Sequence, residues 1–331
     1  IPKLREAVCS DIFRRHNVEI SPENILIVPG GKVIIFFSSM LLGDNDREIL
    51  YPNPGFPIYE SAIRFSGAKP VPYQLKENLN FSFSAEDILN KINKKTSLII
   101  INSPSNPTGG IIPKDEIDKL IIGLENYPNT MLMSDEIYDQ FCFGETDFTS
   151  ILKYPSIRDR LIILNGWSKT YAMTGWRLGA AIGPENVMQI FSKLGTNDES
   201  CTNHFIQYGG IEALTGSQKG AEEILKRLKQ RRDTLSSKLN ELSGLKLSVP
   251  NSTFYLFPDI TKIYERMNAT SYEDFRKKTL INTGVSFCTR EHFGKTIEGE
   301  QKKYIRFAFS GISVENINKG MKKLEDYWST L

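Results

Sequence analysis

Cysteine is scarce in this chain. Four residues, Cys9, Cys142, Cys201 and Cys288, are scattered over 331 positions with no CxxC pair. That spacing gives neither a disulfide framework nor a zinc site, so reduced thiols in a cytoplasmic protein are expected. Excess charge is missing too: 41 Lys and Arg stand against 39 Asp and Glu, a net +2. Such a balance offers no handle for nucleic acid or an anionic membrane. Apolar runs such as 34–37 fall well short of the roughly 20 residues of a membrane span. There is no GxGxxG and no P-loop pattern, which argues against a nicotinamide cofactor and against a P-loop nucleotide. No internal repeat or low-complexity stretch is visible, and the sequons at Asn251 and Asn268 read as chance.

What is present is ordinary in amount and ordered in pattern. Apolar residues make up 40% and charged residues 24%, as in a globular domain with a sizeable core. The chain opens on an amphipathic helical pattern (Leu4, Val8, Ile12, Phe13) without a signal peptide or an initial Met, so it reads as a fragment. Short β-branched runs follow at 25–28, 48–51, 70–74, 98–102, 130–134, 161–164 and 178–182. Most are continuously apolar, the signature of strands covered on both faces. Helical segments separate them, including 84–91, where Ser84 and Asp87 suggest a capping box. This alternation predicts an α/β fold with a mostly parallel, doubly wound sheet over 1–217. A long amphipathic helix at 218–245 then leads to a smaller α+β unit, 246–331, with strands expected at 245–258, 284–288 and 304–309.

In open α/β sheets, ligands bind beyond the carboxyl ends of the strands, so the residues that follow each run matter most. After 25–28 come Gly30, Gly31 and Lys32 leading into a helix, a plain turn or a phosphate seat. After 98–102, Asn106 sits between prolines, in a turn or presenting its amide. After 130–134 come Asp135 and Tyr138, either a cap and core packing or a buried acid and a phenol. Between the last two runs lie Ser168, Lys169 and Arg177. That segment alone fits a surface lysine as well as a buried nucleophilic amine. As a set, a phosphate seat, an amide, a carboxylate, a phenol, a lysine and an arginine match the needs of pyridoxal phosphate.

The chain resembles the class I and II aminotransferases, enzymes of pyridoxal phosphate fold type I that include aspartate, aromatic and alanine aminotransferases. The matching segments run in order: PGGK (29–32), YPNPGFPIYE (51–60), SPSNPTGG (103–110), SDEIYDQF (134–141), GWSKTYAMTGWRLG (166–179), FYLFPD (254–259) and YIRFAFS (304–310). By this resemblance Lys169 is the Schiff-base lysine and proton carrier, and Asp135 pairs with the ring nitrogen. Asn106 and Tyr138 contact the ring oxygen, and Phe56 stacks on the ring. Gly31, Lys32 (through its backbone), Ser168 and Arg177 hold the phosphate. Arg306, with Asn106 beside it, grips the substrate α-carboxylate. The resemblance also implies a cytoplasmic homodimer acting on amino acids and 2-oxo acids by a ping-pong cycle, with no metal, membrane or nucleic acid involved.

Three departures stand out. The family's opening segment, with a tyrosine that reaches the partner subunit's phosphate, has no match. The family's GVxVxPGxxFG appears as GVSFCTREHFG (284–294), which is expected to place Arg290 and His292 near the substrate; with Lys32 they are candidates for a side-chain carboxylate. The usual GAFY is Ser252-Thr253-Phe254-Tyr255. A β-elimination lyase or synthase of the same fold, a truncated domain that binds the cofactor without turnover, and a ligand-sensing regulator are the competing readings.

Overall fold

The continuously apolar runs become the interior of a seven-stranded sheet. In the computed structural model, which describes residues 1–144 and 148–331, its strands are β1 (Ile25–Val28), β2 (Glu48–Asn53), β3 (Lys69–Gln74), β4 (Thr96–Asn102), β5 (Met131–Asp135), β6 (Leu161–Gly166) and β7 (Gly179–Ile182). Their order across the sheet is β1-β7-β6-β5-β4-β2-β3. β3, β2, β4, β5 and β6 pair in parallel, and only β7 runs against its neighbours. The helices of this part are α1 (Pro2–His16), α2 (Lys32–Leu42), α3 (Ile58–Phe65), α4 (Ala85–Leu89), α5 (Lys114–Leu124), α6 (Glu185–Asp198) and α7 (His204–Thr215).

Strand alternation divides the apolar runs between two cores. Ile99, Ile101, Leu132, Leu161 and Ile163 join one cluster with residues of α1 and α5. Their sequence neighbours Leu98, Ile100, Met133, Ile162 and Leu164 join another with α2, α3 and α6. Successive side chains point to opposite faces, so an unbroken apolar strand needs cover on both. That is why these segments show no polar alternation.

Helix α8 (Lys219–Glu241) carries the chain to a three-stranded antiparallel sheet, β8 (Tyr255–Leu256), β9 (Cys288–Thr289) and β10 (Ile305–Ala308), in the order β8-β10-β9. Helices α9 (Thr261–Arg266), α10 (Tyr272–Thr283) and α11 (Val314–Trp328) accompany it. Leu235, Leu239, Phe275, Phe309, Leu324 and Trp328 fill its core, which also takes in Tyr138 and Phe141 from the large sheet's loops.

Some local expectations are corrected. The strand expected at 245–258 pairs only at its end, because the preceding residues reach outward through isolated bridges, Lys246 to Asp259 and Ser252 to Cys142. Ser84 makes no capping bond; the Ala85 N–H at the start of α4 donates to Glu116 of α5 at 2.6 Å, and Asp87 pairs with Lys76. Leu4, Val8 and Ile12 face the core as expected, but Phe13 is half exposed.

Candidate active site

Seven strand ends and loops converge on a cavity of about 630 Å³. It is lined by Gly31, Lys32, Phe56, Asn106, Asp135, Tyr138, Ser168, Lys169, Arg177 and Arg306, so every residue that the resemblance assigns to the cofactor or the α-carboxylate borders one space. Ile35, Tyr59, Asn102, Ile137, Leu164, Thr174 and Tyr255 complete the lining and were not singled out.

The anion seat is built from glycine geometry. Gly30 has φ +100°, and a Cβ there would lie 2.0 Å from Nη2 of Arg177. Glycine therefore supplies both the turn and the space into which the guanidinium fits. Register supports it: Val28 lies opposite Gly179, where a Cβ would press within 2.8 Å of the Gly30–Gly31 backbone. Arg177 itself adopts a left-handed conformation (φ 56°), and its Nη1 donates to the Thr174 carbonyl at 2.8 Å. Helix α2 begins at Lys32; the Val33 and Ile34 N–H groups donate to the Gly30 and Gly31 carbonyls, so the Gly31 and Lys32 N–H groups, with Arg177 and the Ser168 wall, are the donors here suited to a phosphate.

Asp135 ends β5 as a fully buried acid. Tyr59 Oη donates to its Oδ2 at 2.7 Å and the Ile137 N–H to its Oδ1 at 3.2 Å. It has no ion-pair partner among the described residues, and burial raises its pKa to about 6 against these hydrogen bonds and the charge of Lys169. The next residue points to the other face of the sheet. There Glu136 accepts from Ser150 Oγ (2.7 Å), the Ile151 N–H (3.0 Å) and Ser134 Oγ (3.0 Å), and burial lifts it to about 7. Glu136 is fully occupied by the protein; Asp135 faces a cavity and lacks a cation.

Lys169 follows β6. Its Nζ lies 5.5 Å from the ring centres of Tyr138 and Phe254. Burial lowers its pKa, Asp135 opposes that shift, and Arg306, Lys32 and Arg177 add to it. Lowering matters because only the neutral amine is a nucleophile. Tyr138 Oη and Tyr255 Oη are 2.8 Å apart, and burial pushes the Tyr138 phenol well above its usual range.

Arg306 arrives from β10. Its guanidinium lies 4.3 Å from the Tyr255 ring centre and 4.6 Å from that of Phe293. Nη1 donates to Asn106 Oδ1 at 2.7 Å and Nη2 to Cys288 Sγ at 3.7 Å, while Nε has no partner. A guanidinium held flat by two rings with donors to spare suits a carboxylate. Asn106 gives its oxygen to Arg306, which leaves its amide N–H groups for a ligand.

Arg290 and His292 are not where the sequence led us to expect them. Arg290 is 1% exposed and pairs with Glu300 through Nε and Nη2 at 2.8 and 2.9 Å, with further bonds to Asn53 and the Gly294 carbonyl. His292 is exposed, and its Nδ1 accepts from the Thr289 N–H at 3.1 Å. Neither lines the cavity. Lys32 does, with its Nζ 5.5 Å from the Phe56 ring centre.

Pyridoxal phosphate fits this set on the structure's own terms. Four cations (Lys32, Lys169, Arg177, Arg306) face one carboxylate, as a doubly charged phosphate plus a substrate carboxylate requires. The buried, cationless Asp135 suits a protonated ring nitrogen, and Phe56 with Ile137 supplies apolar wall for a flat ring.

Residues 1–324 match the family described as aminotransferase class I and II. An aspartate aminotransferase of Sulfurisphaera tokodaii is 30% identical over 99% of this chain and 80% of its own length. A probable aspartate aminotransferase of Methanocaldococcus jannaschii is 34% identical over 97% and 82%. Among solved structures, an aromatic aminotransferase from Pyrococcus horikoshii superposes with a TM-score of 0.91 at 28% identity, covering all of this chain and 86% of that one. An alanine aminotransferase from Pyrococcus furiosus gives 0.88 at 29%, over 100% and 82%. With its sheet order, its convergent cavity and a family match over nearly its whole length, the chain belongs to the class I and II aminotransferases.

Proposed function

We propose that the cavity moves an amino group from an L-amino acid to a 2-oxo acid, with Lys169 as nucleophile and proton carrier. The observation that carries this reading is the meeting, in one cavity, of a lysine with a lowered pKa, a buried carboxylate lacking a cation and an arginine with an open fork. Pyridoxal phosphate, when bound, supplies an aldehyde that condenses with amines and a protonated ring that takes up the electron pair left at the substrate Cα.

The chain's own residues do the rest. Gly31, Lys32, Ser168 and Arg177 hold the phosphate through backbone N–H groups, a hydroxyl and a guanidinium. Asp135, once paired with the ring nitrogen, stays ionised and keeps that nitrogen protonated. Asn106 and Tyr138 hydrogen-bond the ring oxygen, and Phe56 packs on the ring. Arg306 fixes the α-carboxylate, which orients the Cα–H toward Lys169. Lys169 Nζ takes that proton and returns it one carbon further along, so no proton is lost to solvent. Water supplies the oxygen of the released 2-oxo acid, which leaves its amino group behind, and a second 2-oxo acid collects that group by the same steps in reverse, returning the water.

Aspartate is the first donor to try, because the relatives above carry that name. A division into a cofactor-binding part (1–217), a connecting helix (218–245) and a smaller part (246–331) belongs to the same reading. So does a homodimer. It is supported by exposed aromatics beside the anion seat: Trp176 next to Arg177, packed on Gly209, with Phe205 and Tyr208 nearby on α7. No helix among the described residues is long and apolar enough to cross a membrane. Free thiols at Cys9, Cys201 and Cys288 support a cytoplasmic location.

Titration of the protein with pyridoxal phosphate tests the central claim. A visible absorption band should appear, and borohydride should fix the cofactor's mass on Lys169. Lys169→Ala should lose both and reduce kcat by about 10⁴-fold. Wild type that takes up no cofactor refutes the reading. Pyruvate and ammonia released without an added acceptor would point to a lyase instead.

A further inference from the structure

Arg290 is buried outside the cavity and takes no part in the steps above, yet its bonds join the end of β2, three residues before Phe56, to the loop that carries Phe293. We propose that Arg290, with Glu300 and Asn53, is a positioning clamp for the carboxylate grip; this rests on the reading that Arg306 binds the substrate α-carboxylate.

The clamp is a bidentate ion pair extended by an amide. Nε and Nη2 of Arg290 reach the two Glu300 oxygens, Nη2 also donates to Asn53 Oδ1 at 2.7 Å, and Nη1 donates to the Gly294 carbonyl at 3.0 Å. Asn53 closes the loop, its Nδ2 donating to the Lys295 carbonyl at 2.9 Å. Asn53 ends β2, just before Phe56. Residues 290–300 belong to the rim that follows β9.

Two consequences for the site follow from where Phe293 sits. Its carbonyl accepts from the Gly55 N–H at 2.9 Å, which fastens the rim to the Phe56 loop a second time. Its ring centre lies 4.6 Å from the Arg306 guanidinium, which also packs 4.3 Å from the Tyr255 ring centre. The ladder adds a direct route. Cys288 lies opposite Arg306, and the Arg290 N–H donates to the Tyr304 carbonyl at 2.9 Å, so Arg290 sits two residues along the strand that flanks Arg306. The loop has little slack at the joint, since a Cβ at Gly294 (φ +115°) would lie 2.7 Å from Asn53 Oδ1.

Arg290 therefore holds the aromatic lid of Arg306 and ties it to the loop carrying the ring-stacking Phe56. If the clamp loosens, Arg306 loses its flat seat while Lys169, Asp135 and the phosphate seat keep theirs. The defect should fall on substrate capture rather than on cofactor binding or proton transfer.

The test compares Arg290→Met, Arg290→Lys and Glu300→Gln with wild type, loaded with pyridoxal phosphate and assayed with L-aspartate and 2-oxoglutarate. We expect KM for both substrates to rise by about tenfold in Arg290→Met, and less in Arg290→Lys, while kcat changes by less than about threefold and the visible band is retained. Alkylation of Cys288 by iodoacetamide, read by peptide mass, should quicken by about fivefold, with exposed Cys201 unchanged. Wild-type KM and Cys288 rates in the Lys and Gln variants would overturn the clamp. So would KM, kcat and cofactor affinity failing together, the mark of a purely structural lesion. If Arg290→Met does not fold, the two milder variants decide. If wild type takes up no cofactor, the proposed activity fails on its own, and the Cys288 rates still judge the clamp.

Discussion

Two arginines of the smaller part, Arg306 in β10 and Arg290 just after β9, have opposite circumstances. Arg290 places its donors on a carboxylate, an amide and a carbonyl of the protein. Arg306 packs against two rings with one amide and one thiol as partners and a buried Nε that meets nothing. The large sheet repeats the contrast in acids, with Glu136 satisfied behind the strand and Asp135 cationless before it. A buried charged group whose partners are all internal holds the fold together. One left short of partners inside a cavity awaits a ligand, because leaving it so permanently would be costly. Residue type does not distinguish the two arginines, and neither acid has an ion pair among the described residues; the number of protein hydrogen bonds separates the acids, three on Glu136 and two on Asp135.

The sharpest way to break the contrast is to remove the open fork. Arg306→Gln should lower kcat/KM for amino donor and 2-oxo acid alike by about 10³-fold, roughly 4 kcal/mol, in steady-state assays. A loss below about tenfold would put Arg306 with the structural arginine. Next comes the open acid. Its folded pKa of about 6 lies above its ordinary 3.8, so between those values the folded apoprotein keeps a proton that the unfolded chain has released. Stability contributed by Asp135 is thus full at low pH and fades as pH rises through that window. Relative to Asp135→Asn, wild-type apoprotein should lose about 3 kcal/mol across it by chemical denaturation. Adding pyridoxal phosphate should flatten the slope, because a cationic partner lowers the acid's pKa. The smallest effect concerns a group that only looks engaged: Ser84→Ala should shift stability by less than about 0.5 kcal/mol, not the ~1 kcal/mol of a true cap, because Glu116 already serves Ala85.

The sequence carried the large sheet well, because strands buried on both faces leave a continuous apolar trace and their carboxyl ends mark where ligands gather. Asp135, Asn106 and Lys169 were marked for attention for that reason, and the family resemblance gave them and Arg177 their expected roles; all four border one cavity. Tyr59 was not, since its link to Asp135 spans 76 positions and a tyrosine inside a helix looks like core. Arg290 was misread because position in a loop does not reveal which way a guanidinium turns; its partners lie 10 and 237 residues away. The small sheet was overdrawn at 245–258, where the residues before β8 bond instead to loops of the large part, Ser252 to Gly109 and Thr253 to Phe141, and only Tyr255 and Leu256 pair with β10.

Gly30 sets how much change the anion seat can absorb. The space over its Cα is already filled by the Arg177 guanidinium, so there is no room for even the smallest side chain. At Gly30, where φ is also +100°, an added methyl expels a charge, and at Gly179 it would press on the Gly30–Gly31 backbone itself. Protein engineers who wish to retune substrate choice can vary the rim, but the lineage of any working variant has to keep glycine at these two positions.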